Sequence, residues 1–255
     1  MTAAERERWR TRLPTYAVCA IAWAALAFRS PDPGGGTRPC CAMADTLSSG
    51  GGSGPSTAAS VLTVDWVLML AAMMAPMLAA PIRHVRQRNF ARRRGRAVAM
   101  FLSAYVAVWM LAGAILAGLQ FALSRAIADT ATHNVFVAGL AILWQCAPWK
   151  QACLNRGHAH AAFPAFGAAA DLGALRSGAA HGVWCVGTCW ALMLLPEAFP
   201  SVHLPAMALV TVWLIGERLE RPSLPRWRVR VPLKALNIGL TQIRKVKAVP
   251  HEAGR

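Results

Sequence analysis

The sequence predicts an all-α polytopic membrane protein, a bundle of about six transmembrane helices followed by a basic amphipathic cytoplasmic tail. Three observations predict it. Of 255 residues, 56% are hydrophobic and only 15% charged, whereas a soluble domain of this length carries about 25% charged residues. Apolar runs of membrane-spanning length recur along the chain, separated by polar stretches. The third observation is where the charge lies. The formal net charge is +16, and the arginines fall between the apolar runs, where topology and anionic lipid headgroups explain them better than nucleic acid does.

Residues 1–60 are expected to hold a first span and an external loop. Arg6, Arg8, Arg10 and Arg12 precede an apolar run from Pro14 to Phe28. A basic flank with a short apolar core also fits a signal peptide. The small-residue cleavage pattern is not clear and Arg29 ends the run, so an uncleaved span is expected. Residues 30–60, with GGG at 34–36 and SSGGGSG at 48–54, read as a flexible loop. The loop carries Cys40, Cys41 and Met43, either soft-metal donors or unremarkable loop thiols.

Residues 61–220 read as a five-helix core. The second span runs from Val61 to Ile82, with Asp65 near one end. Met69, Met73 and Met77 recur at i, i+4 and i+8, a stripe along one face with Met74 beside it. Packing is the commoner role for such a stripe, and thioether ligation the sharper one. Pro76 frees a backbone carbonyl within this span. Seven arginines between Arg83 and Arg96 precede a third span, Ala97 to about Leu123, whose Gly113, Ala117 and Gly118 suit close helix packing. The fourth span, about Val135 to Trp149, ends in LWQCAPWKQACL. An unbroken helix there brings Cys146 and Cys153 to one face, and Pro148 challenges that continuity. His158 and His160 suit an extended chelate, although a solvated loop is the commoner case.

The fifth span, about Ala179 to Pro196, carries HGVWCVGTCWALM. Cys185 and Cys189 lie at i and i+4 on one helical face, with His181 one turn earlier. A sixth span follows from about Val202 to Ile215. In the tail, 221–255, Leu233, Leu236, Leu240 and Ile243 fall at helical spacing among Lys234, Arg244, Lys245 and Lys247, a short segment expected on the membrane surface.

Six spans put both termini on one side. That side then carries 24 of the 27 Lys and Arg residues, so the positive-inside rule places both termini in the cytoplasm of a bacterial inner-membrane protein. Met73, Met77, Cys146, Cys185 and Cys189 then share the inner half of the bilayer. Thiolate and thioether donors select soft ions, copper(I) first and zinc as the alternative. The site expected is Cys185 and Cys189 as core ligands, Cys146 and Cys153 closing it, Met73 and Met77 as thioether donors, and His181 nearby.

Three stretches, DWVLMLAAMMAPM at 65–77, WQCAPWKQACL at 144–154 and GVWCVGTCWALM at 182–193, together resemble the DUF2182 family of predicted metal-binding bacterial membrane proteins. The resemblance covers about 65–220 and implies a multi-span protein with a metal site and no established reaction. The chain departs from the family pattern twice. Thr188 stands where the family often has the first cysteine of an adjacent pair, and Asn155, Arg156, Gly157 and His158 follow Cys153–Leu154 where a further cysteine is usual.

The leading expectation is therefore soft-metal handling, delivery or transport. The competing readings are a structural or assembly subunit of a larger membrane complex and a membrane thiol redox protein, and the partners expected are the lipid bilayer and either a second copy in a homo-oligomer or a larger membrane complex. No P-loop, catalytic triad signature or HExxH occurs in the sequence, and nothing in it supports a hydrolase.

Overall fold

The structure, a computed structural model, describes residues 3–29, 55–158, 167–229 and 241. The loop cysteines Cys40 and Cys41, together with His160 and all but one residue of the amphipathic tail segment, lie outside the described residues. Those described form seven α-helices: α1 (Ala3–Arg29), α2 (Pro55–Arg88), α3 (Arg94–Ala126), α4 (Thr130–Cys146), α5 (Pro148–His158), α6 (Gly167–Ala198) and α7 (His203–Leu219). No strand occurs among them. Four helical stretches, 9–29, 64–88, 91–126 and 167–198, are long and apolar enough to cross a membrane. The other two expected spans correspond to α4 and α7, of 17 residues each, which at 1.5 Å per residue reach about 25 Å against a hydrocarbon core of about 30 Å.

Several helices overrun the apolar runs that announced them. The helix expected over 61–82 occupies 55–88, and the one expected from about Ala179 begins at Gly167, whose φ of 66° is a left-handed turn suited to glycine. The α6 extension is held by charge: Asp171 receives Arg93 at 3.0 Å and Arg96 at 2.8 Å, and Arg93 also donates to the Gly167 carbonyl. The fourth span is where continuity fails. The residue before a proline is pushed out of the helical region; Ala147 is extended at φ −66°, ψ 141°, α4 ends at Cys146 and Pro148 opens α5. Cys146 and Cys153 therefore do not share one helix. At the other end of α4, Thr132 donates through its amide and hydroxyl to the Asp129 carboxylate, capping the helix and holding that carboxyl below its usual range.

Two helix pairs build the body. α1 and α2 run antiparallel, with Arg29 on the buried Asp65 at 3.0 Å. Pro76 has no N–H to give the Ala72 carbonyl one turn back, and that carbonyl accepts instead from Trp23 Nε1 and Cys19 Sγ, both at 3.1 Å. Trp23→Phe is accordingly expected to cost about 1 kcal/mol of helix-pair stability, since Cys19 remains a weak donor; reversible unfolding in mixed micelles would measure it.

The second pair, α3 and α6, runs parallel and is the tightest contact in the fold. α3 presents Ala97, Phe101, Tyr105, Trp109, Ala112 and Leu116, all buried, as one ridge. α6 answers with small residues at four-residue spacing, Ala170, Ala174, Gly178 and Gly182, also buried. A Cβ at Gly182 would lie 3.0 Å from Val108 Cβ, and one at Gly178 would overlap the Phe101 carbonyl oxygen. The same stripe continues one turn further into Cys185 and Cys189.

A candidate metal centre

The small stripe seats α6 so closely on α3 that Cys185 meets the next ridge residue. Tyr105 Oη stands 3.4 Å from Cys185 Sγ. α2 closes the other side, with Met74 Sδ 3.9 Å from the same sulfur. Cys189, one turn on, turns its thiol back to the Cys185 carbonyl at 3.0 Å, and Thr188 donates to that carbonyl at 2.7 Å. The Thr188 hydroxyl is thus satisfied by its own helix. Both thiols are 1% exposed.

The structure brings some of the expected residues together and separates others. Cys185 and Cys189 share the core position. The thioether against Cys185 belongs to Met74, one residue from the expected stripe; Met73 is fully buried and Met77 half-buried in the same core. His181 is half-buried, its ring 6.0 Å from that of Phe101 and 5.9 Å from that of Tyr105. Cys153 packs instead on Gly187, where a Cβ would lie 2.7 Å from its sulfur. Position 187 is about 200° around the helix from 185, at 100° per residue, so Cys153 lies on the far face of α6. Cys146 ends α4, its carbonyl taken by the Arg228 amide at 3.2 Å, and His158 is the last residue of α5. Among the described residues, no three His, Cys, Asp or Glu side chains come close enough to hold an ion together. Two thiols and a thioether form a soft, low-coordinate donor set that suits copper(I), and they fall short of the four ligands structural zinc takes.

A buried charge network, absent from the sequence expectations, joins α4, α5 and α7. Lys150 is fully buried and contacts both Glu217 carboxylate oxygens at 2.8 Å. Gln145 donates to Glu217 Oε1 and accepts from Lys150, and Trp213 Nε1 donates to that carboxylate oxygen at 3.0 Å. Arg218 donates to the Gly157 carbonyl at 3.3 Å. Residues 220–229 return across α5, where Asn155 bonds both the amide and the carbonyl of Ser223. The only sequence signal for this network was a lysine inside WQCAPWKQACL and a Glu-Arg pair ending the last span.

A family model matches residues 63–238, more than half of the chain, and its family is PpoB2, described as a copper chaperone. The chain belongs to this copper chaperone family. The match takes in α2 to α7 and the returning segment with the whole thiol–thioether site, and leaves α1 outside the shared part. No curated protein and no solved structure matches the chain. Membership gives the soft donor set a copper context.

Proposed function

We propose that this chain is a six-span bacterial inner-membrane protein, both termini cytoplasmic, that receives copper(I) as cargo on Cys185, Cys189 and Met74 and delivers it. Cys185 Sγ meeting Met74 Sδ at 3.9 Å, one turn from Cys189, in a member of a copper chaperone family, is what carries this reading. Copper(I) replaces the two thiol protons, which pass to water, and is held by two thiolates and a neutral thioether. The tyrosine hydroxyl, the Thr188 bond and the close α3–α6 seam fix the position of Cys185.

The membrane assignment rests on four long apolar helices, on α4 and α7 as short fifth and sixth spans, and on the basic bias of one side. Tryptophans support a shallow depth for the thiols. Trp144 and Trp190 meet edge to face with ring centroids 5.1 Å apart, Trp149 and Trp227 likewise at 6.0 Å, and Trp184 lies under the Arg156 guanidinium at 4.6 Å. Such side chains collect at membrane–water interfaces, so the site lies near the cytoplasmic edge, where handover needs only a short movement.

The test is copper content after purification in detergent under reducing conditions, beside a Cys185→Ser/Cys189→Ser variant. The expected result is near-stoichiometric copper in the parent chain and its loss in the variant, with both eluting as the same species. Equal copper in both, or none in either, overturns the reading and favours a structural subunit.

A further inference from the structure

The Tyr105 hydroxyl and the Cys185 sulfur stand 3.4 Å apart, and while Cys185 is a thiol the hydrogen bond between them can run in either direction. Metal loading removes that freedom. A thiolate has no proton to give, so in the loaded state the phenol donates and the sulfur accepts. The loaded site also carries charge. Copper(I) on two thiolates and a neutral thioether has one net negative charge, at a place where both thiols are 1% exposed. A buried anion is costly unless hydrogen bonds or cations meet it. A hydrogen bond to an ionised acceptor is about twice as strong as one between neutral groups. The tyrosine therefore does more for the loaded site than for the empty one.

The fold holds the hydroxyl there. Tyr105 is buried in the α3 ridge, its ring centre 5.9 Å from that of His181. A Cβ at Gly182 would lie 3.4 Å from the Tyr105 carbonyl oxygen, so α6 approaches this turn of α3 closely. Met74, on the other side of Cys185 at 3.9 Å, is a thioether with no proton to donate. Thr188 and Cys189 donate to the Cys185 carbonyl, a different atom of the same residue. Copper takes the Cys189 proton, and Thr188 keeps that carbonyl bonded.

We infer that Tyr105 is a positioning residue that donates a hydrogen bond to metal-bound Cys185 and so favours the loaded, anionic form of the site over the empty one. The inference rests on the copper reading above and adds to it a group that acts on the ion through its ligand.

The chain's other tyrosine, Tyr16, is more than half exposed on α1 and lies outside the family-matched residues. Tyr16→Phe is therefore the reference chain, in which ring-fluorinated tyrosine can be incorporated at position 105 alone. A fluorinated phenol is a stronger donor of nearly the same size. The full-length detergent-purified chain is titrated with copper(I) against a chromophoric chelator as the reference, with Tyr105→Phe added, and with the fluorinated ring. Tyr105→Phe is expected to weaken copper(I) binding about tenfold, and fluorination to tighten it about threefold. A hydrogen bond lowers the energy of the sulfur lone pairs. The thiolate-to-copper(I) charge-transfer absorption should thus move to longer wavelength in Tyr105→Phe and to shorter wavelength in the fluorinated chain. Reference-like affinity and absorption in Tyr105→Phe overturn the inference. Weaker binding in both altered chains, or weaker binding in Tyr105→Phe with no shift in absorption, also overturns it, since a tyrosine that merely packs gives those patterns. Should Tyr105→Phe fail to fold, the fluorinated chain decides: tighter binding with the shorter-wavelength shift supports the inference, and reference-like behaviour overturns it. Each of these outcomes leaves the copper reading standing if the double cysteine variant still loses its copper. A parent chain that binds no copper(I) sinks the copper reading first.

Discussion

Lys150→Met is expected to destabilise the fold by about 3–5 kcal/mol, the cost of leaving one partner of a buried ion pair without the other. Lys150 is 0% exposed and Glu217 4% by side chain, so water does not take over. The pair joins three elements with no covalent continuity of helix. Gln145 closes α4, Lys150 opens α5, and Trp213 with Glu217 forms the last turns of α7. Glu217→Gln alone also strands the lysine. The double variant Lys150→Met/Glu217→Gln is expected to cost less than the sum of the single changes, because a glutamine still accepts from Trp213 and no charge remains to be matched. Equilibrium unfolding of the four species in mixed micelles gives the coupling directly. A strictly additive cycle would show that the pair is not the staple described.

This network also marks where the sequence could be read and where it could not. Hydropathy located the long helices, since each is written in the sequence as an apolar run. It misplaced their ends because helix continues past the apolar run, in α6 through a polar turn held by tertiary charge, where Asp171 is held by Arg93 and Arg96. Cys185 and Cys189 were legible from a local i, i+4 spacing. Met74 was not distinguishable from Met73 and Met77, because the buried face of α2 is broad and only the docking of α6 decides which thioether meets a thiol. Cys153 was drawn into the expected site by its motif, yet the break at Pro148 turns it to the far side of α6. Lys150 and Glu217 sit near helix ends, where a lone charge looks like ordinary topology signal, and their pairing spans 67 residues. Small residues divided in the same way. Gly113 packs under Trp66 as expected, whereas a Cβ at Gly118 meets nothing within 4 Å.

Gly178 is the position at which the seam and the site are expected to fail together. A methyl there overlaps the Phe101 carbonyl oxygen and comes within 2.9 Å of the carbonyl carbon, both backbone atoms that no rotamer change can move aside. Gly178→Ala should therefore cost about 3 kcal/mol, the upper part of the usual range for overpacking. It does so despite the helix propensity gained, which on its own favours alanine by about 1 kcal/mol. Gly139→Ala is the matched control, because a Cβ at that position in α4 has nothing within 4 Å and should be neutral or slightly stabilising. The consequence reaches the proposed copper site through one turn of α3. Phe101 and Tyr105 are successive ridge residues, so a shift that relieves Phe101 carries the Tyr105 hydroxyl away from its 3.4 Å contact with Cys185. Copper(I) affinity is then expected to fall in Gly178→Ala and to stay at the parent level in Gly139→Ala, read by the same chelator competition. Loss of stability with unchanged affinity would separate the seam from the site, and would mean that Cys185, Cys189 and Met74 hold their geometry without support from α3.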